Sequence, residues 1–531
     1  MQAEILKVCR YLRRNPLVLA VVVLAGAGLR IREIFDPLWF DEAWVANSLM
    51  SGSLSDALYY QRVPQSTPPG WLALHYVLVR LVEPGDMAVR LISLLSGIGA
   101  IVMAAALGGR ALGRSYRLPA AAVTAASSFM IIQSGQLKQY ATDSLLAIWL
   151  LWGLMVCVTT KDARRWTALS VLYGISFAFA YTQMLLMPVV AMAMWLSVRR
   201  GELTAKAAAA QLTALAGVAA ALWAVFVRPN THPFLKIYWA DQFPQSVAGA
   251  PEFYLLKLLQ WTRVIQRSSR FEEAAWVIML AITLIGVFSL VRRGGGDGRK
   301  ALAAAGFGLT LAVLVCTSAL RLYPMGPARL LLFSFPLLLM AWLAGVERIA
   351  RAAGGLLGNR SARTMMRVWP AALALGAMAY MGRDLAGKPR GRPELSDAPG
   401  FTRLLREQSR PGDVIWLHGS AVDLAEYYFR KSGYPQGQMI RSGYGLPCCV
   451  TERLTVAGVS YADEVQREWD TSVEGRALRN VWLVTLEGEL ILNGFDDGAR
   501  LRETLVDRGC RAVAKLEYSN ARVDHLDCSG K

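Results

Sequence analysis

Charge is scarce in this chain. Asp, Glu, Lys and Arg make up 18% of its 531 residues, against about 25% in soluble domains. That composition excludes an ordinary solvated surface along most of the length. Histidine is nearly missing, with four residues, and none of the seven cysteines forms a Cys-x-x-Cys pair. A structural zinc site is therefore not expected. No internal repeat recurs. Acidic residues are outnumbered, giving a formal net charge of +18. A basic balance suggests nucleic acid first, but the Lys and Arg residues sit in short gaps between apolar runs, where membrane topology puts them. Nucleic acid is not expected as a partner.

What fills the chain instead is hydrophobic sequence, 54% of all residues. Apolar runs of about 16 to 23 residues recur down to roughly residue 382, as in a polytopic membrane protein. The first run follows Lys7, Arg10, Arg13 and Arg14 and shows no small-residue cleavage site, so it reads as a retained span over 16–34. With a cytoplasmic N-terminus, later spans fall at about 88–108, 118–134, 143–160, a hairpin through "AYTQM", 207–227, a span ending before Arg292, one ending at Arg321, 330–346 and 368–382. The stretch "WLALHYVLVRLV" (71–82) is too short to cross and reads as an interfacial or re-entrant helix. If it crossed, every later basic loop up to Arg367 would switch sides, against the positive-inside rule. The expected fold is thus a polytopic α-helical membrane protein with about 11 transmembrane helices. Its first external loop covers 35–87, and an odd span count leaves the C-terminal region outside.

That region has a different composition. The linker 383–400 is polar and rich in Pro and Gly, as a domain boundary should be. It divides a transmembrane domain, 1–382, from a small extracytoplasmic α/β domain, 401–531. "DVIWLHG" (413–419), "NVWLVTLEG" (480–488), "RAVAKLEY" (511–518) and "RVDHLDC" (522–528) read as strands. Helices are expected over "SAVDLAEYYFRKSG" and 497–509. Cys9, Cys157 and Cys316 lie in or near spans, where cysteine behaves as a small core residue. Cys448, Cys449, Cys510 and Cys528 lie in the external domain, where a bridge is permitted. A hairpin of the last two strands makes Cys510–Cys528 the favoured pair.

Three clusters fall on the external side under this topology. They are "WFDEAW" (39–44), "GQLKQYATDS" (135–144) and "RLYPMGPARLLLFSFP" (321–336). Asp41, Glu42 and Asp143 face the possibility of pairing with Lys138, Arg321 and Arg329, because charges at the membrane edge are costly unless paired or solvated. The bland alternative is a set of interfacial charges and aromatic belt residues that anchor loops. For each residue alone that alternative is strong; for three mixed clusters on one side it is weaker. His75 on its apolar helix reads most simply as a packing residue.

The ordered set resembles the GT-C superfamily of membrane glycosyltransferases, near glycosyltransferase family 39 and the lipid A aminoarabinose transferases. The matching features are Asp41-Glu42 in the first external loop, "TPPGWLALHYVLVRL" (67–81), "MAVRLISLLSG" (87–97), "KQYATD" (138–143) and "YPMGPARLLLFSFP" (323–336). The resemblance covers about residues 10–345 and leaves the C-terminal domain unmatched. It implies a sugar donor linked to polyprenyl phosphate, used on the non-cytoplasmic face with inversion at the anomeric carbon. On that resemblance the acceptor is expected to be a lipid, glycan or protein hydroxyl, and the setting a bacterial inner membrane with a periplasmic C-terminal domain.

The residues fit that chemistry on their own terms. A departing phosphate needs cations, for which Lys138 and Arg329 are candidates with Arg321 behind them. An attacking hydroxyl needs a base, for which Asp41 is the candidate. Glu42 is placed with it in the catalytic set, to orient Asp41, bind acceptor or face away. Asp143 is a third member, gripping sugar hydroxyls or sharing an ion. Substrate-lining candidates are Tyr140, Tyr323, Trp39, Trp44, Tyr60 and His75, with Tyr59 and Gln61 nearby. His232, Tyr238 and Trp239 are weaker ones on the long loop 228–273. No cofactor is required by this reading. If a divalent cation takes part, Mg²⁺ or Mn²⁺ would use Asp41, Glu42 and Asp143. Two other readings stay open: a transporter or flippase for a lipid-linked sugar, and a receptor acting through the C-terminal domain.

Overall fold

The computed structural model describes residues 16–60, 66–82, 85–160, 162–231, 239–262, 265, 272–293, 297–356, 368–370, 372–377, 379, 397–418, 421–433, 439–442, 480–486, 497–518 and 521–529. Gln61, His232, Tyr238, Cys9, Cys448, Cys449 and most of the expected linker lie outside them.

The membrane half is built of helices α1 (Pro16–Glu33), α2 (Phe40–Leu49), α3 (Leu54–Leu58), α4 (Pro69–Leu81), α5 (Leu91–Ala111), α6 (Arg117–Ala126), α7 (Ser128–Ser134) and α8 (Tyr140–Cys157). There follow α9 (Ala163–Ser176), α10 (Met187–Arg199), α11 (Ala205–Leu222), α12 (Ala250–Trp261), α13 (Glu272–Arg293), α14 (Gly298–Ala319) and α15 (Phe335–Leu356). Among the described residues, seven helical stretches are long and apolar enough to cross a membrane: Ala88–Ala111, Tyr140–Cys157, Tyr181–Arg199, Ala205–Asn230, Ala274–Arg293, Gly298–Ala319 and Ala328–Gly354. The four other expected spans differ for visible reasons. α1 carries Arg30, Arg32 and Glu33 at its end. α9 has only 14 residues and opens on Arg164 and Arg165. The 368–377 helix is short. The 118–134 run is broken at Ser127, whose extended backbone (ψ 109°) ends α6 and whose hydroxyl caps α7 by accepting from the Met130 amide at 3.3 Å.

That break frees carbonyls inside an apolar bundle, where unpaired backbone groups are costly. Arg30 takes them. Its guanidinium donates to Thr124 O at 2.9 Å, Ala125 O at 3.2 Å and Gly26 O at 2.9 Å. A residue that looks like a poor choice for a span is thereby the cap of a neighbouring half-helix. α13 and α15 cross where two glycines meet backbone: a Cβ on Gly286 would lie 1.7 Å from Ala341 O, and one on Gly345 would lie 1.9 Å from Ile282 O. Helices approach this closely only through small residues.

α4 has 13 residues, about 20 Å at helical rise, and is too short for a core of about 30 Å. The expected non-crossing helix is therefore present. One end of the bundle gathers cations. Arg299 donates to Arg110 O at 3.1 Å, Arg200 to Val158 O at 3.0 Å, and Arg293 pairs with Glu347 at 2.9 Å. From that end α5 and α8 run back to Arg90 and Tyr140 at the opposite end, where the first loop lies.

The C-terminal half adds α16 (Ala398–Gln408), β1 (Val414–His418), α17 (Ala421–Lys431), β2 (Met439–Ser442), β3 (Asn480–Leu486), α18 (Asp497–Asp507), β4 (Arg511–Tyr518) and β5 (Ala521–Asp527). The sheet order is β2-β1-β3-β5-β4. β1 is parallel to β2 and β3, and β5 is antiparallel to β3 and β4. The four expected strands and two expected helices are present; α16 and the four-residue β2 were not foreseen. Alternation along β1 and β3 sends Val414, Trp416, Val481 and Leu483 to a core shared with Leu501 and Leu505 of α18. Ile415, Leu417, Trp482 and Val484 face Phe401 and Leu405 of α16 and Tyr427 of α17. Central strands buried on both faces read as continuous apolar runs. Cys510 and Cys528 form a disulfide across the base of the β4–β5 hairpin.

Candidate active site

The site begins with the first turn of α2. Trp39 precedes the helix in extended conformation, and Glu42 accepts the Trp39 amide at 3.0 Å, as a capping residue does. Adjacent residues on a helix point about 100° apart, so Asp41 and Glu42 face different surroundings.

Asp41 meets two cations. Lys138 Nζ lies 2.6 Å from Oδ1, and Arg329 Nη1 lies 3.8 Å from Oδ2. Burial alone would raise the Asp41 carboxyl. The charges of Lys138 and Arg329 and the Lys138 hydrogen bond outweigh it and hold the group below the usual carboxylate range. Lys138 is presented by the turn before α8, whose Lys138 carbonyl accepts from Ser93 Oγ at 2.9 Å. Arg329 stands in the 3-10 segment Ala328–Ser334. Its guanidinium lies 5.4 Å from the Trp39 ring centroid and 5.7 Å from that of Trp239, a cation–π arrangement.

Glu42 is bound to Arg90. Arg90 Nε donates to Oε1 at 2.8 Å and Nη2 to Oε2 at 2.6 Å, with both side chains 1% exposed. The Leu137 amide donates to Oε1 at 2.5 Å. Arg90 also reaches Ile34 O, Asp36 O and Pro37 O. The pair ties the loop before α2, the start of α5 and the turn bearing Lys138 into one unit.

The other candidates are placed variously. Asp143 is buried in the first turn of α8, beside Thr182 and near Tyr323. Asp41 is ion-paired with both Lys138 and Arg329, and among the described residues Asp143 takes part in no ion pair. Tyr323 donates its hydroxyl to Leu330 O at 2.7 Å and stands near Tyr140. Arg321 is exposed, with φ 54°, and takes part in no ion pair among the described residues. Tyr60 is half-buried against the core of the first loop. Trp44 does not line an open cleft. It is 8% exposed and donates Nε1 to Asp423 Oδ2 in α17 at 2.6 Å. His75 is fully buried, with Nδ1 2.9 Å from Trp71 O and its ring 3.7 Å from that of Trp71. Burial pushes its pKa down to about 4, so it is a neutral packing residue at ordinary pH.

No local sequence pattern gives Arg90 its task or sets Trp239 above its neighbours, and none connects Asp86, Asp423 or Tyr428, whose contacts join distant parts of the chain. A divalent cation does not fit the expected trio. Asp41 faces two cations, Glu42 is filled by Arg90, and no group of three or more His, Cys, Asp or Glu comes together among the described residues. A metal placed there would meet like charge.

No protein-family model matches the chain, and no curated protein matches it in sequence. Solved structures do. ArnT from Cupriavidus metallidurans bound to undecaprenyl phosphate aligns with a TM-score of 0.57 at 13% identity, over 96% of this chain and 97% of that one. Its apo state aligns at 0.53 with 13% identity, over 95% and 97%. The oligosaccharyltransferase AglB from Archaeoglobus fulgidus, in complex with an inhibitory peptide and a dolichol-phosphate, aligns at 0.50 with 11% identity, over 88% and 69%. At such identities the likeness is one of fold.

Proposed function

From the premise that this chain carries the fold of the GT-C membrane glycosyltransferases, we propose that it is an inverting glycosyltransferase. It moves a sugar from a polyprenyl-phosphate donor to an acceptor hydroxyl of a lipid, glycan or protein. The observation that supports this best is the Lys138–Asp41–Arg329 cluster at the end of the bundle opposite the basic loops. By the positive-inside rule those loops are cytoplasmic, so the cluster opens to the periplasmic side of a bacterial inner membrane. The N-terminus then lies in the cytoplasm and the tail domain outside, with the membrane domain ending near 382.

In this mechanism the donor phosphate competes with Asp41 for Lys138 and Arg329. As the cations turn to phosphate, Asp41 loses the charges that depress its pKa and becomes a better base. It takes the acceptor proton while the acceptor oxygen bonds to the anomeric carbon. The bond from that carbon to the phosphate oxygen breaks on the opposite face. The electron pair leaves with the phosphate, where Lys138 and Arg329 stabilise it. Trp39 and Trp239 keep the Arg329 guanidinium in place, and Glu42 positions Asp41 through Arg90. No step uses a metal. A transporter would hold its charges at mid-depth, whereas these gather at one end.

Mass spectrometry of surface lipids and glycans from cells with and without the protein tests the proposal, the expected difference being one sugar. Asp41→Asn is expected to cut transfer by about 100-fold or more while purified protein still binds undecaprenyl phosphate. Transfer at the parental rate removes Asp41 as the base.

A further inference from the structure

One set of polar contacts has no part in the chemistry so far: those between α17 and the first loop. Asp423 receives Trp44 Nε1 on Oδ2 at 2.6 Å and Asn47 Nδ2 on its carbonyl at 2.8 Å. The Leu38 amide donates to the Tyr428 hydroxyl at 3.0 Å. The hydroxyls of Tyr427 and Tyr428 and the ammonium of Lys431 converge on Asp86 at 3.1, 3.0 and 3.0 Å.

We propose that α17 is a positioning element for the transfer reaction, and that Asp423 and Tyr428 set the pose of Asp41 and Trp39. This rests on the reading of Asp41 as the base. The contacts fall where such control is needed. Trp44 is one turn beyond Asp41. Leu38 adjoins Trp39, which faces Arg329. Asp86 lies just ahead of Arg90, which holds Glu42. α2 has only 10 residues, and a helix so short has no stable pose of its own in water. Its direction is set by what it packs on, and one of its two flanks is the tail domain, whose core is continuous with Ala43, Trp44 and Val45. Apolar contact alone would attach the tail. The directional bonds to Asp423 and Tyr428 fix register as well, at the desolvation cost of burying polar groups. Near-attack geometry is sensitive to displacements of about 1 Å, which cost on the order of 100-fold in rate.

The test uses the full-length protein with Asp423→Leu, Tyr428→Phe and Asp423→Asn. Hydrogen exchange over residues 38–49 is read in detergent, undecaprenyl phosphate binding on the same samples, and sugar addition in cells at matched protein level. Asp423→Leu and Tyr428→Phe are expected to speed exchange over 38–49 by about tenfold, leave undecaprenyl phosphate binding within about twofold, and lower transfer by about tenfold or more. Asp423→Asn keeps an oxygen for Trp44 Nε1 and is expected to restore both exchange and transfer. Parental exchange over 38–49 in the two disruptive variants overturns the proposal, and so does raised exchange with parental transfer. If Asp423→Leu does not fold, Tyr428→Phe, which removes a single hydroxyl, decides alone. Should Asp41→Asn transfer normally, the reading of Asp41 as the base falls, while the exchange result still judges the docking.

Discussion

Asp41 and Glu42 are neighbours in sequence, yet one faces the two cations Lys138 and Arg329 and the other is locked into a buried bidentate pair. Removing one member of such a pair leaves an uncompensated charge, which costs about 3–5 kcal/mol. Arg90→Ala is therefore expected to lower thermal stability in detergent by that order. Equal melting of Arg90→Ala and the parent would show the clamp to be idle. Asp41, Lys138 and Arg329 were legible because charge at a membrane edge demands a partner, and the topology put the three on one side. The partner of Glu42 was not legible, because a carboxylate in sequence does not say which of several nearby arginines will reach it. Trp44 was misread for the same reason: its indole N–H meets Asp423, a residue no local pattern connects to it.

At the scale of elements, period and length carried most of the reading. Strands β1 and β3 show apolar runs because both faces are covered, and α4, with 13 residues, is too short for a core of about 30 Å. The split of 118–134 into α6 and α7 escaped notice, since Ser127 interrupts nothing in the hydropathy of the run. What holds the split is Arg30, a side chain from another helix. The α13–α15 crossing depends on the absence of side chains at Gly286 and Gly345. Gly345→Leu, whose Cβ alone would overlap Ile282 O, is expected to force the helices apart. It should lower membrane yield and cut stability, read from the melting temperature, by about 3 kcal/mol, the upper part of the usual overpacking range. Parental yield and melting would show that the crossing relaxes freely.

For the whole molecule, the cationic loops and the Lys138–Asp41–Arg329 cluster lie at opposite ends of the bundle, which makes the proposed orientation testable. In a background lacking other free cysteines, a membrane-impermeant maleimide is expected to label Val513→Cys, on an exposed strand, in intact cells. Arg200→Cys is expected to label only after permeabilisation. The reverse pattern would place the cleft on the cytoplasmic side. The presence of an α/β tail was readable from composition, but its seat on the first loop was not, since that contact depends on a folded surface at each end of the chain.

The bond from Trp44 to Asp423 spans 379 positions. A ribosome therefore releases α2 long before α17 exists, and the Trp44–Asp423 bond can form only after residue 423 of 531 has been made. On the proposed role of α17, products that end before residue 421 are expected to insert in the bilayer without transferring sugar.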